Sequence, residues 1–497
     1  MIDGFEKRSR WIGMLAASAV CSSGCTSIQP AQTQAVAAQP APSTDQPISA
    51  RLALATFDSV WTIVRRTYVD TAFVANRWGL VRDSIRPLAA VTTSRSGLSD
   101  VLAATLRPIS DSHFYIIPAR AAAAVSADGD GEGGEGTTGM AVRIAGGHVV
   151  VWSVVPGSPA AIAGVVTGRR VDQIGNRVTS TSLSRLASLP EVSRQRSTSQ
   201  LLQRLNGALS PSVGDTIQIR LTGDKSIPAV TRTLTGVKAD GTISKFGNLP
   251  PIAGRVRATR RNVGLAGQPS GESAGLSTGQ LTRQSAEESA GPSSRQPPRQ
   301  PCIGTIAFNI WLPALAPELE RAVSQIADCT GVIIDLRGNP GGVGAMVMGF
   351  GGYFVDSARS LGTMRTRDVS LQFVINPRFV QVGGMQRGPY QGPVAILVDP
   401  MTASTSEIFA TGMQRLGRMR VFGERSAGAA LPALMRELPS GDVFVHAVAD
   451  FTDPDGRRIE GAGVVPDEIV LLSEKDLLKN VDAPLEAAAR WIRMQGR

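Results

Sequence analysis

From Cys302 to the C-terminus, short apolar runs alternate with helix-like stretches, and that alternation restricts this part of the chain to an α/β layer fold. Ile303 to Phe308 and Val332 to Ile334 read as strands, with a helical stretch from Leu315 to Ala327 between them. A strand-helix-strand unit sets its two strands parallel and side by side. Cys302 and Cys329 each precede one of those strands, so both fall at the same end of the sheet. A disulfide between them is geometrically reasonable; two buried free thiols are the alternative.

The remainder of the 497 residues needs other architecture, since a chain of this length holds two to four domains of about 100–200 residues. With 42 % hydrophobic and 19 % charged residues, a wholly disordered chain, a collagen-like fibre and a small disulfide scaffold are excluded. Residues 49–120 read as a helical domain: Phe57, Val60, Trp61, Val64 and Val69 recur near helical spacing, as do Leu102, Leu106 and Ile109. An Ala- then Gly/Asp/Glu-rich connector spans 121–135, and from Gly136 to about Val237 the texture turns to short β runs. Among them Pro156-Gly157-Ser158-Pro159-Ala160-Ala161, with Gly164 and Gly168, packs strand, turn, short helix and strand into one stretch. This 121–240 region resembles a PDZ domain, in which an extended peptide adds to a sheet edge. The resemblance implies a peptide-binding loop at Gly139, Met140 and Ala141, with a spacer that binds nothing as the alternative. Residues 241–300 read as a linker whose 264–300 portion is a low-complexity Gly/Ser/Gln/Pro/Arg insertion, and 301–497 as the α/β core with a C-terminal helix.

The N-terminus reads as an address. Lys7, Arg8 and Arg10 precede an apolar stretch from Trp11 to Val20, the layout of a secretory signal over residues 1–25. Ser22-Ser23-Gly24-Cys25 resembles a bacterial lipobox, which implies lipidation of Cys25, with Cys21 the competing site and ordinary cleavage the alternative. Residues 26–48, rich in Gln, Ala, Pro, Thr and Ser, suit a flexible tether. The expectation is an exported protein, periplasmic or held to a membrane of the bacterial envelope by a lipid anchor. The net charge of +10 is carried by Arg, only six of the 51 basic residues being Lys, without the aromatic-basic interleaving of a nucleic-acid surface. Nucleic acid is not expected as a partner.

Two motifs carry chemistry. In Ile333-Ile334-Asp335-Leu336-Arg337-Gly338-Asn339-Pro340-Gly341-Gly342 an apolar strand enters a three-glycine turn, whose amides can hold an anion or whose glycines serve only a tight turn. In the second, the strand Val394 to Val398 leads through Asp399-Pro400-Met401-Thr402-Ala403 to Ser404-Thr405-Ser406-Glu407 and a helix. Ser404 and Glu407 match a helix capping box, which explains both without catalysis. The functional reading exposes Ser404 at a strand-to-helix turn, with the Thr405 amide aimed at a developing oxyanion; Ser406 is the alternative nucleophile.

Together these motifs resemble the tail-specific (C-terminal processing) and tricorn-type serine peptidases, and the resemblance continues through Gly423-Glu424 to Glu460-Gly461-Ala462-Gly463-Val464-Val465-Pro466-Asp467. It implies a multidomain α/β protein: an N-terminal helical domain, a PDZ-like β-rich domain and an α/β peptidase core of the ClpP/crotonase-like class. By the same resemblance Ser404 is the nucleophile, and Gly341, Gly342 and the Thr405 amide form the oxyanion hole. Tail-specific members use a lysine about 25 residues past the serine. Here that stretch reads Ser426-Ala427-Gly428-Ala429-Ala430, and no lysine occurs from 246 to 474. The tricorn-type branch is closer: Asp111-Ser112-His113-Phe114 supplies a His base, Glu460 the distant carboxylate, and Ser112 the bridge between them. His148 and His446 lie in apolar strands and read as structural. The function implied is a serine endopeptidase acting on exported or envelope proteins, possessing no cofactor and no Cys/His cluster of zinc spacing. A catalytically silent PDZ-containing scaffold that holds protein C-termini is the alternative, and hydrolysis of a non-peptide ester or amide would use the same residues.

Overall fold

Continuous apolar runs, buried on both faces, build the central sheet. The computed structural model describes residues 45–119, 136–222, 228–244, 252–262 and 300–495. The leader with Cys25, residues 26–44 of the tether, the 121–135 connector and residues 264–299 of the insertion lie outside the described residues. Among the described residues no helix is long and apolar enough to cross a membrane.

The N-terminal part is helical, as its periodicity requires. Helices α1 (Ala50–Thr67), α2 (Trp78–Val91) and α3 (Arg95–Leu106) bury Val60, Val64, Trp78, Leu98 and Leu102 against one another. Trp61 and Trp78 are cross-linked, each indole N–H donating to the other's backbone carbonyl at 3.0 and 2.9 Å. The expected tether ends earlier than Ile48: that side chain is buried in this cluster and its N–H donates to the Thr93 carbonyl at 2.9 Å. The helical reading also ends before 120. After α3 the chain turns a corner at 110–113 and becomes strand β1 (Tyr115–Ile117), paired antiparallel with a strand more than 300 residues later. The corner is thereby held from both sides.

A separate five-strand antiparallel path follows: β2 (Met140–Ala145), β3 (His148–Val154), β4 (Arg170–Ile174), β5 (Thr216–Thr222) and β6 (Val230–Thr235), in that spatial order, with Arg177–Val178 off it. Helix α4 (Glu191–Ala208) covers its core through Leu201 and Leu205. Strand β2 is an edge strand of this sheet.

The α/β core is a six-stranded sheet. Its strands are β7 (Val256–Asn262), β8 (Gln300–Phe308), β9 (Cys329–Asp335), β10 (Val394–Val398), β11 (Arg420–Gly423) and, completing the order β7-β8-β9-β10-β11-β14, the two-residue strand Glu468–Ile469. Two of the intervening strands, β12 (Ala433–Glu437) and β13 (Val443–Ala447), form a separate sheet with β1, and β14 is Glu468–Ile469. All neighbours in the six-stranded sheet are parallel except β7 and β8. Alternation on β9 sorts the two faces: Val332 and Ile334 join Leu319, Val323 and Ile326 of α5 (Ala316–Ile326), while Ile333 joins Ala395, Leu397, Phe422 and the C-terminal helix. Strand β7 corrects the reading of 241–300 as linker. Its Val256 and Ala258 pack on the core, Arg257 is exposed and Arg260 pairs with Asp328 at 2.9 Å, a charged edge whose apolar content is too low to announce a strand. Cys302 and Cys329 are disulfide-bonded and buried, with Cα atoms 4.8 Å apart.

Candidate active site

The carboxyl ends of β9 and β10 set the first half of the site. After β10 the chain reaches Ser404, which caps helix α6 (Thr405–Arg415) with φ 54° and ψ −121°. An L-residue at positive φ carries steric strain, and such outliers persist only where the surroundings over-determine them. The surroundings here are hydrogen bonds. The Ser404 N–H lies 2.8 Å from the Ala429 carbonyl and 3.0 Å from Glu407 Oε2. Glu407 is buried, and both its oxygens are used: Oε1 accepts from Ser426 Oγ (2.5 Å) and Gly428 N–H (2.7 Å), while Oε2 also accepts from Ala429 N–H (2.9 Å). Burial pushes its carboxyl up to about 7 against the pull of these donors. Ser404 itself is half-buried. Ser406, the alternative nucleophile, is fully buried and accepts the Trp311 indole N–H at 2.8 Å, so it is a packing residue.

The glycine turn after β9 lies against Ser404. Gly341 has φ 103°, and a Cβ there would stand 2.6 Å from that of Ser404; at Gly342, φ 138°, it would stand 2.3 Å from the Trp311 carbonyl oxygen. The Gly341 N–H donates within the turn, to Asn339 Oδ1 at 3.0 Å. Among the described residues no acceptor meets the Gly342 or Thr405 N–H. Asp399 fastens the turn to the serine loop: Oδ1 accepts from Gly338, Met401 and Thr402 N–H at 2.9, 3.0 and 3.1 Å. Its other oxygen takes Arg143 Nε from β2 at 2.6 Å, in an ion pair with both side chains only 4 % exposed.

The second half is the corner between α3 and β1. His113 has φ 61°. Ser112 Oγ lies 2.7 Å from His113 Nδ1 and donates to Glu460 Oε2 at 2.9 Å, while the Ser112 N–H donates to Oε1 at 2.7 Å. Glu460 also accepts from Ala430 N–H (2.9 Å) and Arg196 Nη2 (2.6 Å). A hydroxyl has one proton; given to the carboxylate, it leaves the oxygen to accept from Nδ1–H, so Nε2 keeps its lone pair. Burial, with the Arg196 charge nearby, brings His113 down to about 4, so the ring is neutral at pH 7. Burial raises the Glu460 carboxyl, opposed by Arg196 and by its backbone and hydroxyl donors.

No hydrogen bond joins Ser404 to His113 among the described residues. The halves meet through consecutive residues: Ala429 binds Ser404 and Glu407, and Ala430 binds Glu460. A polar cleft of about 570 Å³, lined by Tyr68, Ser110, Asp111, Arg365, Arg367 and Arg458 among others, opens beside the His113 corner. The other histidines are elsewhere: His148 is exposed at the start of β3, and buried His446 stacks on Phe444 with Nδ1 3.2 Å from Thr67 Oγ1. Among the described residues no group of three His, Cys, Asp or Glu is placed to hold a metal.

At the expected peptide loop, Gly139 has φ 74° and its carbonyl accepts from Val155 N–H at 2.7 Å. Next along β2, Val142 is occupied: its N–H donates to Asn206 Oδ1 at 2.9 Å and its carbonyl accepts from Asn206 Nδ2 at 3.2 Å. Sequence reasoning missed Asn206, Arg143 and Arg196. Each sits on an element with ordinary polar patterning, and only contacts across the fold distinguish it.

Residues 303–470 match peptidase family S41. Two curated relatives are carboxyl-terminal-processing proteases: one from Picosynechococcus, 26 % identical over 170 residues (34 % of this chain, 39 % of the relative), and one from Synechocystis, 26 % identical over 193 residues (37 % and 43 %). The matches thus span about two-fifths of those relatives. Among solved structures, the photosystem II D1 C-terminal processing protease superposes with a TM-score of 0.53 at 19 % identity, covering 90 % of this chain and 97 % of that one. Mature CPAF gives 0.53 at 10 % identity, covering 89 % and 97 %. These superpositions show a mixed α/β, multidomain fold shared with a C-terminal processing protease.

Proposed function

We propose that this chain is a serine endopeptidase of the S41 family in which Ser404 is the nucleophile, His113 the base, and Glu460 acts on His113 through Ser112. The observation that carries the reading is the Glu460–Ser112–His113 chain, which leaves Nε2 of a neutral imidazole as the acceptor. As Ser404 Oγ attacks the peptide carbonyl carbon, its proton passes to Nε2. The Gly342 and Thr405 amides, at the turn and at the N-terminus of α6, receive the oxyanion. Collapse breaks the C–N bond, the proton on Nε2 goes to the departing amine, and water then releases the acyl group with His113 again the base.

The leader-like N-terminus supports substrates among exported or envelope proteins, and the PDZ-like sheet is the part suited to delivering their C-termini. The silent scaffold reading uses the same sheet but gives the Glu460–Ser112–His113 chain no task. Fluorophosphonate labelling tests the proposal, with casein hydrolysis alongside. Wild type is expected to label and cleave, and Ser404→Ala and His113→Ala to do neither while remaining folded. Labelling that survives in Ser404→Ala would overturn the assignment.

A further inference from the structure

We infer that Arg196, on helix α4 of the β-rich module, is a positioning residue for the base: it holds the Glu460 carboxylate under Ser112 and so completes the site from outside the S41 segment. The inference rests on the proposed role of His113. Three segments meet on this one guanidinium. Nη2 contacts Glu460 Oε1 at 2.6 Å and the Gly428 carbonyl at 3.3 Å, and Nη1 donates to the Ser110 carbonyl at 2.5 Å. Gln195 adds a bond to the Ser426 carbonyl, so α4 is seated along the whole 426–428 stretch.

The charge inventory makes Arg196 decisive. The Glu460 side chain is 1 % exposed, and Arg196 is its only ion-pair partner among the described residues. Of the neighbouring charges, Asp111 is engaged by Arg458 and the Tyr68 hydroxyl, Arg458 also by Asp450, and Glu407 lies across the 428–430 stretch facing its own four donors. A buried carboxylate stripped of its cation takes up a proton more readily. Protonated Glu460 would become a donor toward Ser112, the Ser112 hydroxyl would turn its proton to His113 Nδ1, and the ring's own proton would then sit on Nε2. That is the wrong tautomer for a base. Arg196 therefore sets the direction of the hydrogen-bond chain rather than touching substrate.

The test uses the full chain with 15N-histidine, whose three imidazoles are assigned with His113→Asn. In wild type at pH 7, His113 is expected to show an unprotonated Nε2. In Arg196→Gln a population protonated at Nε2 is expected, with kcat reduced roughly 10–100-fold, KM within about threefold, and the acid limb of activity displaced upward. Arg196→Lys, which keeps the charge but not the three-way fork, is expected to retain the wild-type tautomer and lose less rate. An unchanged His113 tautomer in folded Arg196→Gln overturns the inference, as does a rate loss equal at every pH. Because the tautomer is read without turnover, a wild type that cleaves nothing would sink the peptidase proposal and leave this reading separately decided.

Discussion

Ser404 and His113, 291 positions apart in the sequence, share one backbone peculiarity: both stand at positive φ, 54° and 61°, and neither is glycine. Among the described non-glycine residues only Asn480 joins them, and Asn tolerates that region well. Strain of this kind is of order 1–3 kcal/mol per residue and gathers where a side chain must be aimed against local preference. His113→Gly is therefore expected to be more stable than His113→Ala by about 1 kcal/mol, since glycine relieves the strain that alanine retains, and neither has activity. Urea midpoints of the two variants decide it. Equal midpoints would mean that the corner is not strained.

The neutral state of His113 has a pH signature. Its folded value near 4 lies below its ordinary 6.5, so between those limits the unfolded chain holds a proton that the folded chain lacks. Stability should accordingly be complete above about 6.5 and fall as pH drops through the folded value, and His446, brought down to about 4 by burial, acts in the same direction. The acid limb of kcat/KM is expected nearer 4 than 6.5. Chemical denaturation from pH 4 to 7 and a pH–rate profile measure both; a limb at 6.5 would place His113 in water rather than in the corner.

Legibility in the sequence followed burial on both faces. Strands β8, β9 and β10 are continuous apolar runs because helices cover both sides of the sheet, and the two cysteines fell beside one another because parallel neighbours start at the same end. Ser404, His113 and Glu460 were legible as motif residues. What escaped had no local signature. Strand β7 hides behind its arginines, β1 is three residues that depend on β13, and Arg143–Asp399 and Arg196–Glu460 join positions more than 250 residues apart. Nor does the sequence announce that Asn339 folds its side chain onto the Gly341 N–H two residues later. Periodicity reports which face is buried, and it carries no information about which distant charge will meet it.

The Arg143–Asp399 pair gives a stability prediction. Removing one partner of a buried ion pair leaves the other uncompensated, at about 3–5 kcal/mol. Three backbone donors remain on Asp399 in Arg143→Met, and the lost Arg143 stacking over Trp152, 4.2 Å from the ring centroid, adds to the deficit. A loss of about 3 kcal/mol is expected, with partial recovery in Arg143→Met/Asp399→Asn because the unpaired charge is gone. Denaturant titration of the single and double variants measures the coupling. A double variant no more stable than the single one would show that the charge is not what matters.

Asn206 offers the sharpest handle on the β-rich module. Its carboxamide makes with Val142 the N–H and C=O pairing that a neighbouring strand would make, so it stands where a docking peptide would continue past Gly139, Met140 and Ala141. Its Nδ2 also reaches Met401 Sδ at 3.6 Å, which ties the plug to the loop before Ser404. Asn206→Ala frees the Val142 N–H for a peptide, while the Val142 carbonyl keeps the Arg143 Nη1 donor at 2.9 Å. With that one recovered hydrogen bond worth about 1 kcal/mol net, a peptide ending in apolar residues and a free carboxylate should bind about fivefold more tightly than to wild type. The same peptide with an amidated C-terminus should gain less if the Gly139 loop takes the carboxylate. Isothermal titration of the two peptides against both proteins gives the four numbers required. Affinity that is unchanged or weaker in Asn206→Ala would mean that peptides do not add to the β2 edge, and that the module serves the site only by holding α4 against it.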